Sequence, residues 1–298
     1  MRIASPLLVV CAALAGGVMT AAQRPTFSAA TDVVRVDALV ERGGRPVTGL
    51  TAADFAVEDA GVAQQIALLP STAPLSIATV LDVSGSVTDN QLVAIGHGVQ
   101  AIAGALGPGD RQSVYGFAAR PRALDPRTAL SVDRVAEALR RSGGAHTALF
   151  DALHTAIVRG DRGSGGALVI VLTDGQDNGS WLDAQAVVDA AQRHETAICA
   201  IGLRDPSLPT PRLAPVTAQA GLRVLTALTE RTGGRLVHAD RRTALAPLFA
   251  AMLHDYRQRY ILSFTPTGVA RGDGWHPLTV RLRGRRGTVH ARSGYWTR

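Results

Sequence analysis

Lysine is absent from this chain: all 31 basic residues are arginines. That absence removes the lysine of a phosphate-binding P-loop, a Schiff-base nucleophile, and the Lys–Asn isopeptide crosslinks that brace some surface adhesins. Cysteine is nearly absent too, with Cys11 and Cys199 alone. Cys11 falls in an N-terminal stretch with the marks of an export signal. Arg2 precedes an uncharged run from Ile3 to Ala22, with apolar Leu7–Val10 at its centre and small residues at Thr20-Ala21-Ala22. Cleavage is expected after Ala22, and Val10 before Cys11 argues against lipidation there. The remaining Cys199 cannot form an internal disulfide, so the core must stand without one; its apolar surroundings, Ala197–Ile201, predict a buried, inert thiol. The sequence lacks internal repeats and low-complexity segments. His194-Glu195 has no second histidine four residues after the first, which excludes a zinc-protease helix. Ser84 has no glycine two residues before it, which excludes a nucleophile elbow.

What is present suits a packed globular protein: 46% hydrophobic and 18% charged residues in 298. The net charge of +7 is concentrated near the C-terminus. There arginines alternate with apolar residues in Leu278-Thr279-Val280-Arg281-Leu282-Arg283, which is the solvent face of a strand. Nucleic acid is therefore not an expected partner, and a membrane is one only if the leader is kept as an anchor.

Four segments follow from the patterning. Residues 1–22 are the signal peptide. Residues 23–72 carry β alternation: Val34, Val36, Ala38 and Val40, then strands flanking the turn Asp59-Ala60-Gly61. Residues 73–254 alternate strands with amphipathic helices. The strands are Leu75–Leu81, Ser113–Ala118, Ala167–Thr173, Thr196–Leu203 and Arg235–His238. The helices show apolar faces at Leu92, Ile95, Val99, Ile102 and Leu106 behind a Thr88/Gln91 capping box, and at Trp181, Ala184, Val187, Val188 and Ala191 behind Ser180. A third face runs along Leu245, Leu248, Phe249, Met252 and Leu253. Residues 255–298 return to β. The fold class is α/β, a doubly wound, mostly parallel, Rossmann-like sheet. Neither β segment has enough strands to cover its own apolar face. The two are therefore expected to join into one β-sandwich-like module with the α/β domain inserted between them.

The candidate site lies where the strand Leu75–Leu81 runs into Asp82-Val83-Ser84-Gly85-Ser86. Residues two apart in an extended turn project to one side, so a carboxylate and two hydroxyls converge at the C-terminal edge of the sheet, where open α/β folds bind ligands. The buried strand Ala167–Thr173 ends in Asp174-Gly175 at the same edge. The loop Gly143-Gly144-Ala145-His146 presents Thr147 just before a helix. An all-oxygen set of this kind suits a hard divalent cation.

Asp-x-Ser-x-Ser, then Thr, then Asp, in that order on a βα framework, resembles the metal-ion-dependent adhesion site of von Willebrand factor A domains. The resemblance spans roughly Leu75 to His254. It implies that Ser84, Ser86 and Thr147 hold Mg²⁺ (or Mn²⁺ or Ca²⁺) through hydroxyls. Asp82 and Asp174 would act directly or through water, with Asp151 supporting Thr147 from behind. The flanks Gly44–Leu50, Asp54-Phe55, Glu58–Gly61, Tyr260–Leu262 and Gly294-Tyr295-Trp296 are similar to those of a group of exported bacterial relatives. The expected function is a non-enzymatic adhesion or scaffold module, periplasmic, cell-surface or secreted, whose cation engages an exposed Asp or Glu of a protein partner. Two readings compete with it. One is a metal-dependent hydrolase, although no His, Glu or Lys is placed as a general base. The other is a structural envelope protein in which the cation only stabilises the fold.

Overall fold

The computed structural model describes residues 33–85, 87–125, 131–159, 166–204, 216–240, 243–270 and 274–297. The leader, Ser86 and Arg271-Gly272-Asp273 lie outside the described residues. In β1 (Val34–Arg42) burial follows the alternation of the sequence, with Val34, Val36, Ala38 and Val40 inward. Gly43 and Gly44, both at positive φ, turn the chain into β2 (Arg45–Pro46). β3 (Phe55–Asp59) and β4 (Val62–Gln64) form a hairpin across Ala60 and Gly61. Their φ values of 47° and 82° put both in the left-handed region that tight hairpins require. β5 (Ala67–Leu69) leads into the α/β domain.

There β6 (Ser76–Asp82) is buried along its whole length. It pairs in parallel with β7 (Arg111–Phe117) on one side and β9 (Ala167–Thr173) on the other. β10 (Thr196–Arg204) and β11 (Leu236–Asp240) extend the sheet beyond β9, and β8 (Pro121–Ala123) closes the opposite edge antiparallel to β7. The order is β11-β10-β9-β6-β7-β8. Alternate strand residues serve opposite faces. Leu168, Ile170 and Leu172 of β9 pack under α1 (Asp89–Gly104), α2 (Val132–Arg140) and α6 (Leu245–Arg257). Val169 and Val171 pack under α3 (Leu149–Arg159), α4 (Ala184–Arg193) and α5 (Val216–Thr232). Among the described residues three helices cover each face, which makes the sheet doubly wound. Cys199 faces the first core, and burial pushes its thiol up to about 11, so it stays protonated and inert.

After α6 the chain rejoins the β module through β12 (Tyr260–Phe264), β13 (Gly274–Leu282), β14 (Thr288–Ala291) and β15 (Gly294–Thr297). One sheet runs β14-β1-β12-β5, with β2 on β1; the other runs β15-β13-β3-β4. Each sheet thus takes strands from both ends of the chain. Val36, Phe55, Val57, Leu262, Phe264 and Tyr295 fill a core between them.

The start of α4 differs from the expectation. The helix begins at Ala184 and is capped by Asp183, whose side chain accepts from Ala186 N at 2.8 Å. Trp181 lies outside the apolar face and is 96% exposed. Ser180 caps a different helix, as described next.

Candidate metal centre

Asp82 is the last residue of β6, in register with Phe117 of β7, and Leu81 is in register with Leu172 of β9. That register sets Thr173 beside Asp82. Thr173 Oγ1 donates to Asp82 Oδ2 at 2.7 Å, and Ser84 N donates to Asp82 Oδ1 at 3.0 Å. Ser84 also forms an isolated parallel bridge with Gly144, which draws the Gly143–Thr147 loop against the end of β6. Ala148 N donates to Ala118 O at 2.7 Å, anchoring that loop to the end of β7 as well.

Thr147 is held on its other side by the segment after β9. Its N–H donates to Asn178 Oδ1 at 2.8 Å, and its carbonyl accepts from Asn178 N at 2.9 Å and Gly179 N at 3.0 Å. Asp177 Oδ1 accepts from Leu149 N at 2.8 Å and from Ser180 Oγ at 2.5 Å. Ser180 Oγ in turn accepts from Phe150 N at 3.0 Å. The first N–H groups of α3 are therefore satisfied from a loop about thirty residues away in sequence, and Thr147 immediately precedes that fixed terminus. Asp151 does not back Thr147 as expected; its carboxylate accepts from Trp181 N and Leu182 N. Asp174 is half-buried, with Oδ1 accepting from Gln176 N and Oδ2 from Gln176 Nε2, both at 3.0 Å. Behind it, the Gly175 turn touches Gly221 of α5 so closely that a Cβ on Gly221 would fall 1.3 Å from Gly175 O.

The structure thus brings Asp82, Ser84, Thr147 and Asp174 to one edge of the sheet, while Ser86 lies outside the described residues. Asp82 is 3% exposed and Thr147 4%. Burial pushes the Asp82 carboxyl upward, the Ser84 and Thr173 hydrogen bonds offset part of that, and the charge of Asp174 adds to it. Among the described residues no cationic side chain pairs with Asp82 or Asp174. Nor do three His, Cys, Asp or Glu side chains gather anywhere among them. The donors here are hydroxyls and two carboxylates lacking a counter-charge, a set that fits a hard divalent cation.

Thr173, Asp177 and Asn178, which hold the candidate site's residues in place, were not singled out by patterning, and Ser180 was expected as the cap of α4. A polar run, Asp174-Gly175-Gln176-Asp177-Asn178-Gly179-Ser180, directly after a buried strand was the available signal.

A family model of the von Willebrand factor type A domain matches residues 76–235, more than half of the chain. A search of curated proteins finds no match. Among solved structures, a von Willebrand factor type A protein from Catenulispora acidiphila is 14% identical with a TM-score of 0.48, covering 87% of this chain and 75% of its own. The conserved hypothetical protein BatB from Bacteroides thetaiotaomicron is 15% identical with a TM-score of 0.44, covering 61% and 98%. Proximal thread matrix protein 1 from the mussel byssus, solved with zinc in its MIDAS motif, is 19% identical with a TM-score of 0.46, covering 66% and 49%.

Proposed function

The chain belongs to the von Willebrand factor type A family, and on that premise we propose that it is an exported protein-binding module. Its site would hold one divalent cation, Mg²⁺, Mn²⁺ or Ca²⁺, through Asp82, Ser84, Ser86, Thr147 and Asp174. Domains of this family serve in general as interaction modules and not as enzymes. The observation that carries the reading is Asp82, a carboxylate buried near a second one with no cationic side chain to neutralise it among the described residues.

When bound, the cation would supply an electrophilic position that a partner's Asp or Glu side chain can complete. The chain's own residues prepare that position. Thr173 and the Ser84 N–H fix both oxygens of Asp82, and Asn178 fixes the backbone of Thr147. Two carboxylates balance the charge of a divalent cation, and neutral hydroxyls leave it able to attract a further anion. Export rests on the leader at residues 1–22. Among the described residues no helix is long and apolar enough to cross a membrane.

Calorimetric titration with Mn²⁺ and with Mg²⁺ tests the site. One binding event is expected in the wild type and none in Asp82→Ala or Asp174→Ala; an unchanged titration in both variants removes the assignment. Partner capture that persists undiminished in EDTA would place the interaction surface elsewhere.

A further inference from the structure

At the opposite edge of the central sheet, the α/β domain and the β module enclose a cleft of about 770 Å³. Ala167 at the start of β9 lines it, as do Arg193 at the end of α4, Glu195 just beyond it, and Tyr295 and Trp296 of β15. That volume lies within the roughly 300–1,000 Å³ typical of small-molecule sites, which favour the seams between domains.

Deep in this cleft is a guanidinium that the protein leaves incompletely satisfied. Arg292 is 9% exposed. Its Nη2 donates to Arg35 O, a neutral acceptor, while Nε and Nη1 have no hydrogen-bond partner among the described residues. Glu195 brings a carboxylate oxygen within 2.9 Å of Nη1. The approach is close enough for an ion pair but misaligned for a hydrogen bond. Glu195 reaches in from the rim, with its side chain 59% exposed and its backbone at a φ of 51°, where a side-chain-bearing residue is strained. The other acid of the cleft, Asp37, is already shared by Arg35, Arg259 and the Tyr256 hydroxyl. Arg193 lies over the exposed Trp296 ring at 5.3 Å, and Arg292 over Tyr295, a side chain of the sandwich core, at 5.9 Å.

We infer that this cleft binds a small aromatic carboxylate, whose anionic group takes the place of Glu195 beside Arg292 while its ring packs against Trp296. The carboxylate is indicated because that group already approaches Arg292 in the protein's own form. The flat body is indicated by the exposed indole of Trp296 at the rim.

The test is calorimetry with 2-naphthoate and, as the uncharged match, 2-naphthamide. Both are titrated in EDTA, so that the cation site plays no part. Saturable binding of the naphthoate is expected, with the amide about tenfold weaker, the loss of one charged hydrogen bond. Glu195→Gln removes the internal competitor from an exposed position and should tighten naphthoate binding several-fold. Arg292→Gln should weaken it by about tenfold or more. Arg292 also holds Arg35 O, so Trp296→Ala at the rim provides a second loss-of-binding variant with less risk to the fold. Three outcomes overturn the inference: no saturation in the wild type and in Glu195→Gln, equal binding of acid and amide, or naphthoate binding indifferent to both Glu195→Gln and Trp296→Ala.

Discussion

One hydroxyl, that of Thr173, donates to Asp82 Oδ2 and accepts from Gly175 N at 3.0 Å. It therefore orients a proposed ligand and pins the turn that carries another. Thr173→Val keeps the shape and removes both bonds, leaving a buried carboxylate oxygen and an amide short of partners. The expected cost is about 1–3 kcal/mol of stability with weaker Mn²⁺ binding, read by urea denaturation in EDTA and by calorimetry. Asp110 offers a pH test away from the site. Burial opposes its ionised form, but Leu75 N–H, the Arg257 guanidinium and Gly107 N–H outweigh that and hold its carboxyl below the usual range. An acid with a lowered folded-state pKa stabilises the fold above its unfolded value, and loses that contribution as pH falls through the folded one. Asp110→Asn should cost about 1.5–3 kcal/mol at neutral pH. Urea midpoints measured toward acid should show the gap from wild type closing below about pH 4. Residue patterning reached Asp82, Thr147 and Asp174 because each stands at a strand end or loop whose position follows from periodicity. Thr173 and Asn178 stayed hidden because their roles are hydrogen bonds to side chains and backbone brought close only by strand register and loop packing.

Helices show the same division between what local pattern dictates and what tertiary contact decides. Thr88 and Gln91 cap α1 as their spacing predicts, with Thr88 N donating to Gln91 Oε1 at 2.8 Å. Ser180 stands at an equally plausible distance before α4, yet its hydroxyl turns to Phe150 and Asp151 at the start of α3. Asp183 takes the cap of α4 instead. Sequence alone weighs only neighbours, so a cap supplied across the fold reads as a local one. Trp181 was assigned to the apolar face of α4 by the same error. The cross-chain cap yields an element-scale prediction. Asp177→Ala or Ser180→Ala should destabilise the start of α3 by about 1–2 kcal/mol. Hydrogen exchange should quicken at Leu149, Phe150 and Asp151. Divalent-cation affinity should fall as well, although neither side chain belongs to the proposed ligand set, because Thr147 is positioned by that terminus.

On the scale of the whole molecule, the seam between the α/β domain and the β module is made of charge. Asp37 of β1 accepts from Arg259 Nε at 2.8 Å and from the Tyr256 hydroxyl at 3.2 Å. Glu41 of β1 and Asp255 of α6 share Arg235. Arg259 is buried, so Asp37→Ala removes a carboxylate from a desolvated guanidinium, at a cost of about 1.5–3 kcal/mol. Scanning calorimetry should then show a lower melting temperature with both modules still unfolding in one transition, since the Arg235 contacts remain. The merging of the two β segments was readable because neither could cover its own apolar face. The register of β12 against both β1 and β5 was not, because pairing across about two hundred intervening residues or more leaves no local trace. That pairing has a mechanical consequence. β5, which enters the α/β domain, and β12, which leaves it, are hydrogen-bonded neighbours, with Ile261 opposite Leu69. Tension applied between Val34 and Thr297 would travel through the sandwich strands and bypass the α/β domain, which hangs from the clasp as a closed loop. Under load the sandwich must rupture first, so the candidate metal edge stays folded and able to grip until the strands that carry it have parted.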